Sequence, residues 1–520
     1  MVGTLALGLL AAGCRPGPRL DRADAAGALP RIDPDYTFLV IPPNIAPLNF
    51  RIREPGEEHV LRLSSDTAPL VQVRCPDGDC RMDPQAWRRL LQASRGRSLH
   101  HDVFVKQPDG RWVQFRRFSN EVAQEPIDSY IVYRRLAPNS QFTQIKGIFQ
   151  RDLESFDVSA LVTLRQGTFE CVNCHTFHQN SPDRFLFHVR RKNAGTVFVM
   201  DGRIRKVDTR AGPMFRPMAY SAWHPDGHHV AATVNMYVGN SPSTATQYYF
   251  QAIEKRGDLV VFDVDHNTVS TTPSVYSNDY METHPCWSAD GRYIYFARQQ
   301  DRPLLSHADL DSFRADLARI SCDVTTNTWG TPETVMAYSE VGKSCAFPRP
   351  SPDGRYVLHI LADKGTYPVY QKSSDVYLFD LASGQYRRLD AVNSDLAESF
   401  PRWSSNGRWF SFVSSRRDGR SAVPHFAYFD ALGQAHKAFV LPEEDPSAHD
   451  SLTDTYNVVE LVKSRIRIDP FALAQAMQEP AASASFPDPP EVDAYTGATR
   501  LATAGGVGAP DSAARELPYH

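Results

Sequence analysis

The chain has 520 residues, 42% of them hydrophobic and 22% charged, and its 56 Lys and Arg side chains nearly balance 60 Asp and Glu, for a net charge of −4. Binding to a phosphate backbone needs clustered cationic side chains, so this balance argues against a nucleic-acid partner. The 38 prolines and the 11% of aromatic residues favour short strands and turns over a helical bundle.

The amino terminus carries an apolar run. Residues 2–13 are small or apolar and end in Leu-Ala-Ala-Gly before Cys14. This resembles a bacterial lipoprotein signal, in which the cysteine becomes the lipidated first residue, and an ordinary export signal is the alternative. The resemblance implies a signal peptide over residues 1–14, a membrane anchor at Cys14 and an outer-membrane lipoprotein facing the periplasm or the cell surface. Residues 15–35, rich in Arg, Pro, Ala and Gly, are predicted to be a tether.

A first folded module is predicted over residues 36–122. Apolar runs and apolar–polar alternation predict several strands in it. One helix is predicted to begin after Asp83, an N-cap followed by proline, and to stop at Gly96. The pattern indicates a small β-sandwich-like module with one helix. Its Cys75-Pro-Asp-Gly-Asp-Cys80 segment predicts a hairpin loop closed by a disulfide, because export implies an oxidising compartment.

A hairpin signature then recurs along the chain. Each copy ends in Asp-Gly or Asn-Gly, which accept positive φ in tight turns, and is followed by an apolar strand. The copies are Ala222–Gly227, Cys286–Gly291, Arg349–Gly354 and Arg402–Gly407, with a degenerate copy at Ser181–Arg184. The turn aspartates Asp226, Asp290 and Asp353 are interpreted as structural, with calcium binding as the alternative.

A second signature, a strand ending in aspartate, recurs about every 50–60 residues, near the length of a propeller blade with loops. The positions are Asp152, Asp201, Asp263, Asp323, Asp380 and Asp430. Together the repeats predict a mainly β fold, in which residues 126–465 form a six-bladed, WD-repeat-like β-propeller. A strand near residues 455–462 is predicted to complete the blade that contains residues 127–162. Residues 466–520, rich in Ala, Pro and Asp, are predicted to be a mostly disordered tail.

The sharpest chemical motif is Cys171-Val-Asn-Cys174-His175. Cys-x-x-Cys-His is the attachment motif of c-type haem, in which two thiols bond to the porphyrin and the imidazole binds iron. A disulfide, a zinc site with two further ligands and a vestigial motif are the alternatives. Alignment of the repeats places the motif on the innermost strand of its blade. Candidates for a sixth iron ligand are His178, His188, His284, Met218 and Met281, and an open site is also possible.

The rest of the sequence contains few residues or motifs that indicate catalysis or cofactor binding. Cys286, Cys322 and Cys345 are an odd set whose pairing the sequence does not assign. The sequence has no G-x-S-x-G nucleophile turn, no H-E-x-x-H and no phosphate-binding G-x-x-x-x-G-K-[ST]. We therefore expect an electron carrier or a binding protein rather than an enzyme.

Four segments also resemble a known family, the TolB-like propeller lipoproteins that are often labelled cytochrome c biosynthesis proteins. They are Ile41–Phe50, Cys171–Phe177, Ala222–Gly227 and Trp403–Trp409. The resemblance covers about residues 36–465. It implies a six-bladed TolB-like propeller, export and a retained Cys-x-x-Cys-His motif.

The leading hypothesis is an envelope lipoprotein whose propeller carries one covalent haem c for electron transfer or redox sensing. Cys171 and Cys174 would form the thioethers and His175 would be the proximal iron ligand. The second hypothesis is a non-catalytic TolB-like scaffold that binds a protein or a glycan over the mouth of the channel. A third is a cytochrome c maturation factor that exchanges thiols. Expected partners are a membrane, through the lipid anchor, and an envelope protein.

Overall fold

A computed structural model confirms that the chain is mainly β. The residues it describes are 20–136, 145–164, 171–190, 193–212, 214, 216–240, 251–300, 312–451 and 454–490. Cys14 and the signal segment lie outside these residues. Within the described ranges, no helix has the length and apolar character needed to span a bilayer.

The amino-terminal module contains two sheets and a helix. The larger sheet has the strands Asp24–Ala25, Val40–Ile41, Glu58–Ser65, Ala68–Arg74, Ser98–Lys106, Trp112–Gln114 and Phe118–Val122. The smaller sheet has the strands Ile32–Asp33, Phe50–Ile52 and Asp79–Cys80. Short 3-10 turns lie at Leu20–Arg22 and Pro76–Gly78.

Helix α1, Pro84–Ala93, forms where the sequence predicts it. The Asp83 carboxylate accepts a hydrogen bond from the Ala86 backbone N–H at 2.7 Å, which satisfies one of the free donors at the helix start. Trp87 is buried on the inner face of the helix, and its indole N–H donates to the carbonyl of Ile45 at 2.9 Å. The helix therefore packs one apolar face against the rest of the module.

The predicted tether is wrong for its described part, residues 20–35. Leu20 is buried against Val60 and Phe104, and Asp24–Ala25 pairs in parallel with Val113 and Gln114. The segment is ordered because Leu20 covers an apolar face of the larger sheet. A two-residue strand is too short to leave a periodic pattern, so composition alone suggested a linker.

In the described part of the chain, six sheets follow the module, and all of them are antiparallel apart from one short strand in the second. The first consists of Tyr130–Leu136, Ile145–Asp152, Val158–Thr163 and the distant strand Thr455–Val462. The second consists of Cys171–Phe177, Arg184–Arg190, Gly195–Met200, Arg203–Asp208 and, in parallel, Ala482–Ser483. The third consists of Met218–Trp223, His229–Asn240, Gln251–Asp263 and Thr268–Ser270.

The last three sheets repeat this pattern. The fourth consists of Tyr280–Trp287, Tyr293–Gln300, Asp316–Asp323, Thr328–Trp329 and Glu333–Met336. The fifth consists of Ser344–Pro350, Tyr356–Ala362, Asp375–Asp380 and Tyr386–Arg388. The sixth consists of Glu398–Trp403, Trp409–Ser414, Val423–Tyr428 and Phe439–Val440. Short helical turns lie at His178–Asn180 and Tyr338–Val341, and helix α2 is Ala448–Ser451.

The sheets are arranged around a common axis, as in a β-propeller. We call the strand of each sheet nearest this axis its inner strand: Thr455–Val462, Cys171–Phe177, Met218–Trp223, Tyr280–Trp287, Ser344–Pro350 and Glu398–Trp403. Each inner strand contacts the inner strand of the next sheet, and Thr455–Val462 contacts those of the second and the sixth. Its pairing with Tyr130–Leu136 confirms the predicted closure by both ends of the repeat region.

All six inner strands carry the same bulge. In each, two residues separate consecutive paired positions, and the first of the two has a φ between +48° and +58°. These residues are Cys174, Tyr220, His284, Phe347, Phe400 and Val458. Several of their rings meet near the axis: the centroids of Tyr220 and His284 are 4.2 Å apart, and those of His284 and Phe347 are 4.0 Å apart. We call these six residues the axial ring.

The predicted disordered tail is wrong for residues 466–490. Helix α3, Pro470–Gln478, begins after the N-cap Asp469, and its Leu473 and Met477 are buried against the first two sheets. Ala482–Ser483 adds a short strand to the second sheet, and Phe486 is buried in the third. The Asp-Pro helix start repeats the signal at Asp83 and could have identified this helix. Residues 491–520 lie outside the described part of the chain.

Candidate functional site

The Cys-x-x-Cys-His motif lies on the inner strand of the second sheet. Cys171 opens the strand opposite Arg190, and Cys174 occupies the bulge with a φ of +51°. Cys171 and His175 are buried, whereas Cys174 is half-buried. The bulge therefore interrupts the regular strand geometry within the motif itself.

His175 is enclosed by apolar side chains between the first and second sheets. The small space beside it is lined by Ile148, Leu161, Val162, Phe177, Phe185, Phe187 and Leu473. Neither ring nitrogen makes a hydrogen bond, although the carbonyls of Val132 and Val458 lie nearby. Burial, aided by the nearby Arg402 and Arg134, lowers the pKa of His175 to about 3. The imidazole is therefore neutral at physiological pH.

These surroundings do not fit a haem. The cavity at His175 measures about 10 Å³, roughly the room that one water needs, whereas cofactor pockets are typically about 300–1,000 Å³. Cys174 also belongs to the axial ring, whose aromatic side chains pack against Tyr367. Within the described part of the chain, the space beside His175 is therefore too small for a porphyrin.

Thiol exchange also lacks support at this motif. Burial raises the pKa of the Cys174 thiol, with Arg190, Arg134 and Arg402 opposing that shift only in part. The reactive form in thiol exchange is the thiolate, which a raised pKa disfavours. Cys174 is therefore a poor nucleophile in this arrangement.

Covalent haem attachment can be tested directly. When the protein is expressed together with a haem-attachment system and then denatured, we expect its pyridine haemochrome spectrum to show no bound haem. A known c-type cytochrome expressed in the same cells is the positive control. Covalently bound haem that is lost on Cys174→Ala would contradict this expectation.

The predicted sixth ligands have contacts of their own. The His188 ring nitrogens lie within hydrogen-bond distance of the Thr196 and Ser221 hydroxyls, at 2.9 and 3.2 Å. His178 Nε2 lies 3.0 Å from the carbonyl of Pro225. His284 belongs to the axial ring, and Met218 and Met281 are buried in the third and fourth sheets. None of them lines the space beside His175.

A larger cavity opens where the inner strands enter the hairpin turns. Its volume is about 280 Å³, and we call it the mouth cavity. The residue after the bulge in each inner strand lines it, which gives the set Thr176, Ala222, Cys286, Arg349, Arg402 and Glu460. The lining also includes Trp223, Trp287, Trp403 and Lys463.

The charges of the mouth cavity are unbalanced. Arg349, Arg402 and Lys463 face one carboxylate, Glu460. Arg402 Nη2 lies 3.1 Å from Glu460 Oε1, and the other oxygen of Glu460 accepts a hydrogen bond from the Phe177 backbone N–H at 3.1 Å. Burial raises the pKa of Glu460, and the nearby arginines oppose this in part. The cavity therefore carries an excess of positive charge.

Arg349 is the most unusual member of this set. The residue is 8% exposed, its Nη1 donates to the carbonyl of Pro348 at 2.7 Å, and its side chain also interacts with the Cys286 thiol. Among the described residues, its buried Nε has no hydrogen-bond partner. Burial, followed by the repulsion of Arg402, lowers the pKa of Arg349 to about 10. A buried cation without a carboxylate of its own is costly, so the site favours an added anion.

The sequence marks this cavity through the first position of each hairpin copy, although no chemical motif does so. Arg349 and Arg402 are the first residues of two hairpin copies, and Ala222 and Cys286 hold the same place in two others. The Asp-Gly turns identified the hairpins, but only the six-sheet alignment shows that the first position faces one shared cavity. Lys463 lies just beyond the closing strand and has no repeat signal.

The remaining predicted residues have structural surroundings. Cys75 and Cys80 form a disulfide. Cys322 and Cys345 are buried, and burial raises the pKa of Cys322 to about 12. In the turns, the carboxylates of Asp290 and Asp353 accept hydrogen bonds from the N–H groups two residues later, a turn-forming role that needs no calcium.

Comparisons with known proteins leave the family open. No family model matches the chain, and no curated protein matches it. TolB from Acinetobacter baumannii is 11% identical over 73% of this chain and 85% of its own, with a TM-score of 0.40. The tricorn protease is 10% identical over 67% of this chain and 38% of its own, with a TM-score of 0.34.

A putative 6-phosphogluconolactonase from Bacteroides uniformis is also similar to this chain. It is 12% identical over 77% of this chain and 99% of its own, with a TM-score of 0.30. Similarities at this level carry no argument about activity or ligand. The functional argument therefore depends on the geometry of this chain.

Proposed function

We propose that residues 126–465 form a six-bladed TolB-like propeller that acts as a non-catalytic binding scaffold. Its mouth cavity takes a carboxylate group of a partner protein. The observation that carries this proposal is the excess of cations in the cavity, above all the buried Arg349 with its free Nε. A guanidinium matches the geometry of a carboxylate and forms strong charge-assisted hydrogen bonds with it.

A protein is favoured over a glycan as the partner. Sugar recognition by tryptophan uses exposed ring faces, but Trp223, Trp287 and Trp403 are all buried. The indole N–H of Trp223 donates to Thr176 O and that of Trp403 to Arg349 O, at 3.2 and 3.0 Å. These rings join neighbouring sheets, so the polar centre of the cavity is what a ligand meets.

We further propose that the protein is held at the outer membrane through Cys14 and meets its partner in the cell envelope. The support is the apolar segment that ends at this cysteine. The surroundings of His175 oppose a haem there, and the raised pKa of Cys174 opposes a role in thiol exchange.

A photo-crosslinking residue placed at Gln179, which lines the mouth cavity, tests the binding role. We expect it to capture one envelope protein, joined through a segment that contains Asp, Glu or the terminal carboxylate. The same residue placed at Leu432, which is exposed and lies outside the mouth lining, is the position control. Equal capture of the same protein at Leu432 would contradict the proposed site.

Arg349→Gln is expected to weaken the affinity for the captured partner about 10- to 100-fold, which corresponds to the loss of one hydrogen bond between charged groups. The variant leaves no carboxylate without its partner, because Glu460 pairs with Arg402. Arg355→Gln removes a charge from the same hairpin outside the cavity and should bind as the wild type does. Binding is measured by titrating the purified partner at low and high salt. Equal affinity of Arg349→Gln and wild type would rule out the arginine as the anchor.

A further inference from the structure

The hairpin of the third sheet differs from its counterparts around the turn aspartate. Where the fourth, fifth and sixth sheets have Ser288, Ser351 and Ser404, it has His224, and the second sheet has His178 in the same place. Where the fourth, fifth and sixth sheets have Tyr293, Tyr356 and Trp409, it has His229. Asp226 is thus flanked by two histidines, common metal ligands, where those three sheets have a hydroxyl and an aromatic ring.

The three side chains converge on one point. His224 Nδ1 lies 3.0 Å from one oxygen of Asp226, and His229 Nδ1 lies 2.7 Å from the other. The possible ligand atoms all lie within 4.8 Å of one another. The side chains of His224, His229 and Asp226 are 13%, 18% and 32% exposed, so an ion can reach them from solvent.

The outer nitrogen of one ring has an acceptor. His224 Nε2 lies 3.1 Å from the carbonyl of Gly291, whereas His229 Nε2 lies 3.8 Å from the nearest carboxylate oxygen of Asp263, beyond hydrogen-bond distance. Metal-bound histidines usually donate their second N–H to such a carbonyl or carboxylate. Gly291 makes room for this contact, since a Cβ there would lie 2.4 Å from His224 Nε2.

In this arrangement, a lone pair on His224 Nδ1 faces a lone pair on the Asp226 carboxylate. With its proton on Nε2 for Gly291, His224 presents a bare Nδ1 to the Asp226 oxygen 3.0 Å away. That Nδ1 accepts a hydrogen bond from the Asp226 backbone N–H at 3.1 Å, which a metal ion would have to displace. In the counterpart hairpin, Ser288 instead donates its hydroxyl to Asp290 at 2.6 Å. A cation between the nitrogen and the carboxylate would remove the repulsion that the histidine introduces.

We propose that His224, Asp226 and His229 form a binding site for a divalent transition-metal ion of the Zn²⁺ type. Two imidazoles and one carboxylate suit Zn²⁺ better than Ca²⁺, which prefers oxygen ligands throughout. Asp263 and Asp265 add negative charge nearby, where they pair with His266 and His228. The site lies on the hairpin that supplies Trp223 and Pro225 to the mouth cavity, so the ion would brace one wall of that cavity.

Isothermal titration of the metal-free full-length chain with ZnCl₂ tests this site. We expect one Zn²⁺ per chain, and a Co²⁺ complex whose visible spectrum reports nitrogen and oxygen ligands. His224→Ser and His229→Tyr introduce the residues of the fourth- and fifth-sheet hairpins, so both variants should keep the fold. Each should weaken Zn²⁺ binding at least tenfold. His436→Ala, which disrupts a single His–Asp pair in the sixth sheet, should leave it unchanged.

Two results would overturn the proposal. The first is an absence of binding with Zn²⁺ and Co²⁺, which would mean that a proton alone bridges His224 and Asp226. The second is unchanged binding in folded His224→Ser and His229→Tyr, which would place the ion elsewhere. Circular dichroism of each variant checks that the fold is retained.

Discussion

Lowering the pH from 7 to 5.5 is expected to reduce the free energy of unfolding of the protein by several kcal/mol. Among the described residues, six histidines that are at most 4% exposed lie in surroundings that hold them neutral: His101, His175, His188, His284, His359 and His425. In each, burial is the main cause of a lowered pKa. The pKa falls to about 3 for His101 and His175 and to about 4 for His359.

The sign of the effect follows from where protons bind. The unfolded chain takes up protons on these histidines near pH 6.5, whereas the folded chain does so only at the lowered pKa values. The contribution of these histidines to the free energy of unfolding is therefore complete above pH 6.5, and it is lost as the pH drops towards those values. At pH 5.5 each such histidine costs on the order of 1 kcal/mol, so the six together cost several kcal/mol, set against a typical total of about 5–15 kcal/mol.

Other histidines act in the opposite sense. Carboxylates raise the pKa of His229 and His266, so these two contribute stability that is present at low pH and lost as the pH rises. His229 is only partly buried and His266 is exposed, and both are outnumbered by the six buried rings. The net effect of acid is therefore destabilising.

Urea unfolding followed by circular dichroism at several pH values between 7 and 5.5 measures this dependence. His359→Phe is the matched variant, since its ring would still pack against Tyr338, 5.2 Å away in the wild type. We expect the variant to reduce the loss of stability between pH 7 and 5.5 by about 1 kcal/mol, the share of one buried histidine. A free energy of unfolding that stays flat from pH 7 to 5.5 would contradict the buried neutral state of these histidines.

The fold was predictable where local chemistry sets it. Asp-Gly and Asn-Gly turns need positive φ, so the hairpins at Gly227, Gly291, Gly354 and Gly407 followed directly from the sequence. Closure by Thr455–Val462 followed because a ring of repeats must bury both of its ends. The ordered ends at residues 20–35 and 466–490 were missed, since each depends on a few buried side chains such as Leu20 and Leu473.

The candidate sites were predictable only in part. The spacing of Cys171, Cys174 and His175 favoured haem attachment, but spacing does not reveal the bulge that occurs within the motif. That bulge recurs in all six inner strands, so it belongs to the ring and not to a cofactor. Likewise, Arg349 and Glu460 come from different sheets, and no single stretch of sequence shows that they share a cavity.

Removing the closing strand is expected to prevent folding of the six-sheet ring. Thr455–Val462 is buried along its whole length and supplies the inner strand of the first sheet. Five of its side chains are apolar or aromatic: Tyr456, Val458, Val459, Leu461 and Val462. At about 1.5–3 kcal/mol for each buried side chain, their loss costs roughly 10 kcal/mol, comparable to the whole stability of a typical domain.

Two truncated chains isolate this strand. One ends after Lys463 and keeps the strand, and the other ends after Asp454 and lacks it, while both lack helix α3 and the Ala482–Ser483 strand. We expect the longer chain to fold with reduced stability and the shorter one to elute as an expanded or aggregated species without a cooperative thermal transition. The shorter chain also leaves Arg402 without Glu460 and Tyr130–Leu136 with an unpaired edge. If both chains melt cooperatively at similar temperatures, closure by this strand is not what holds the ring together.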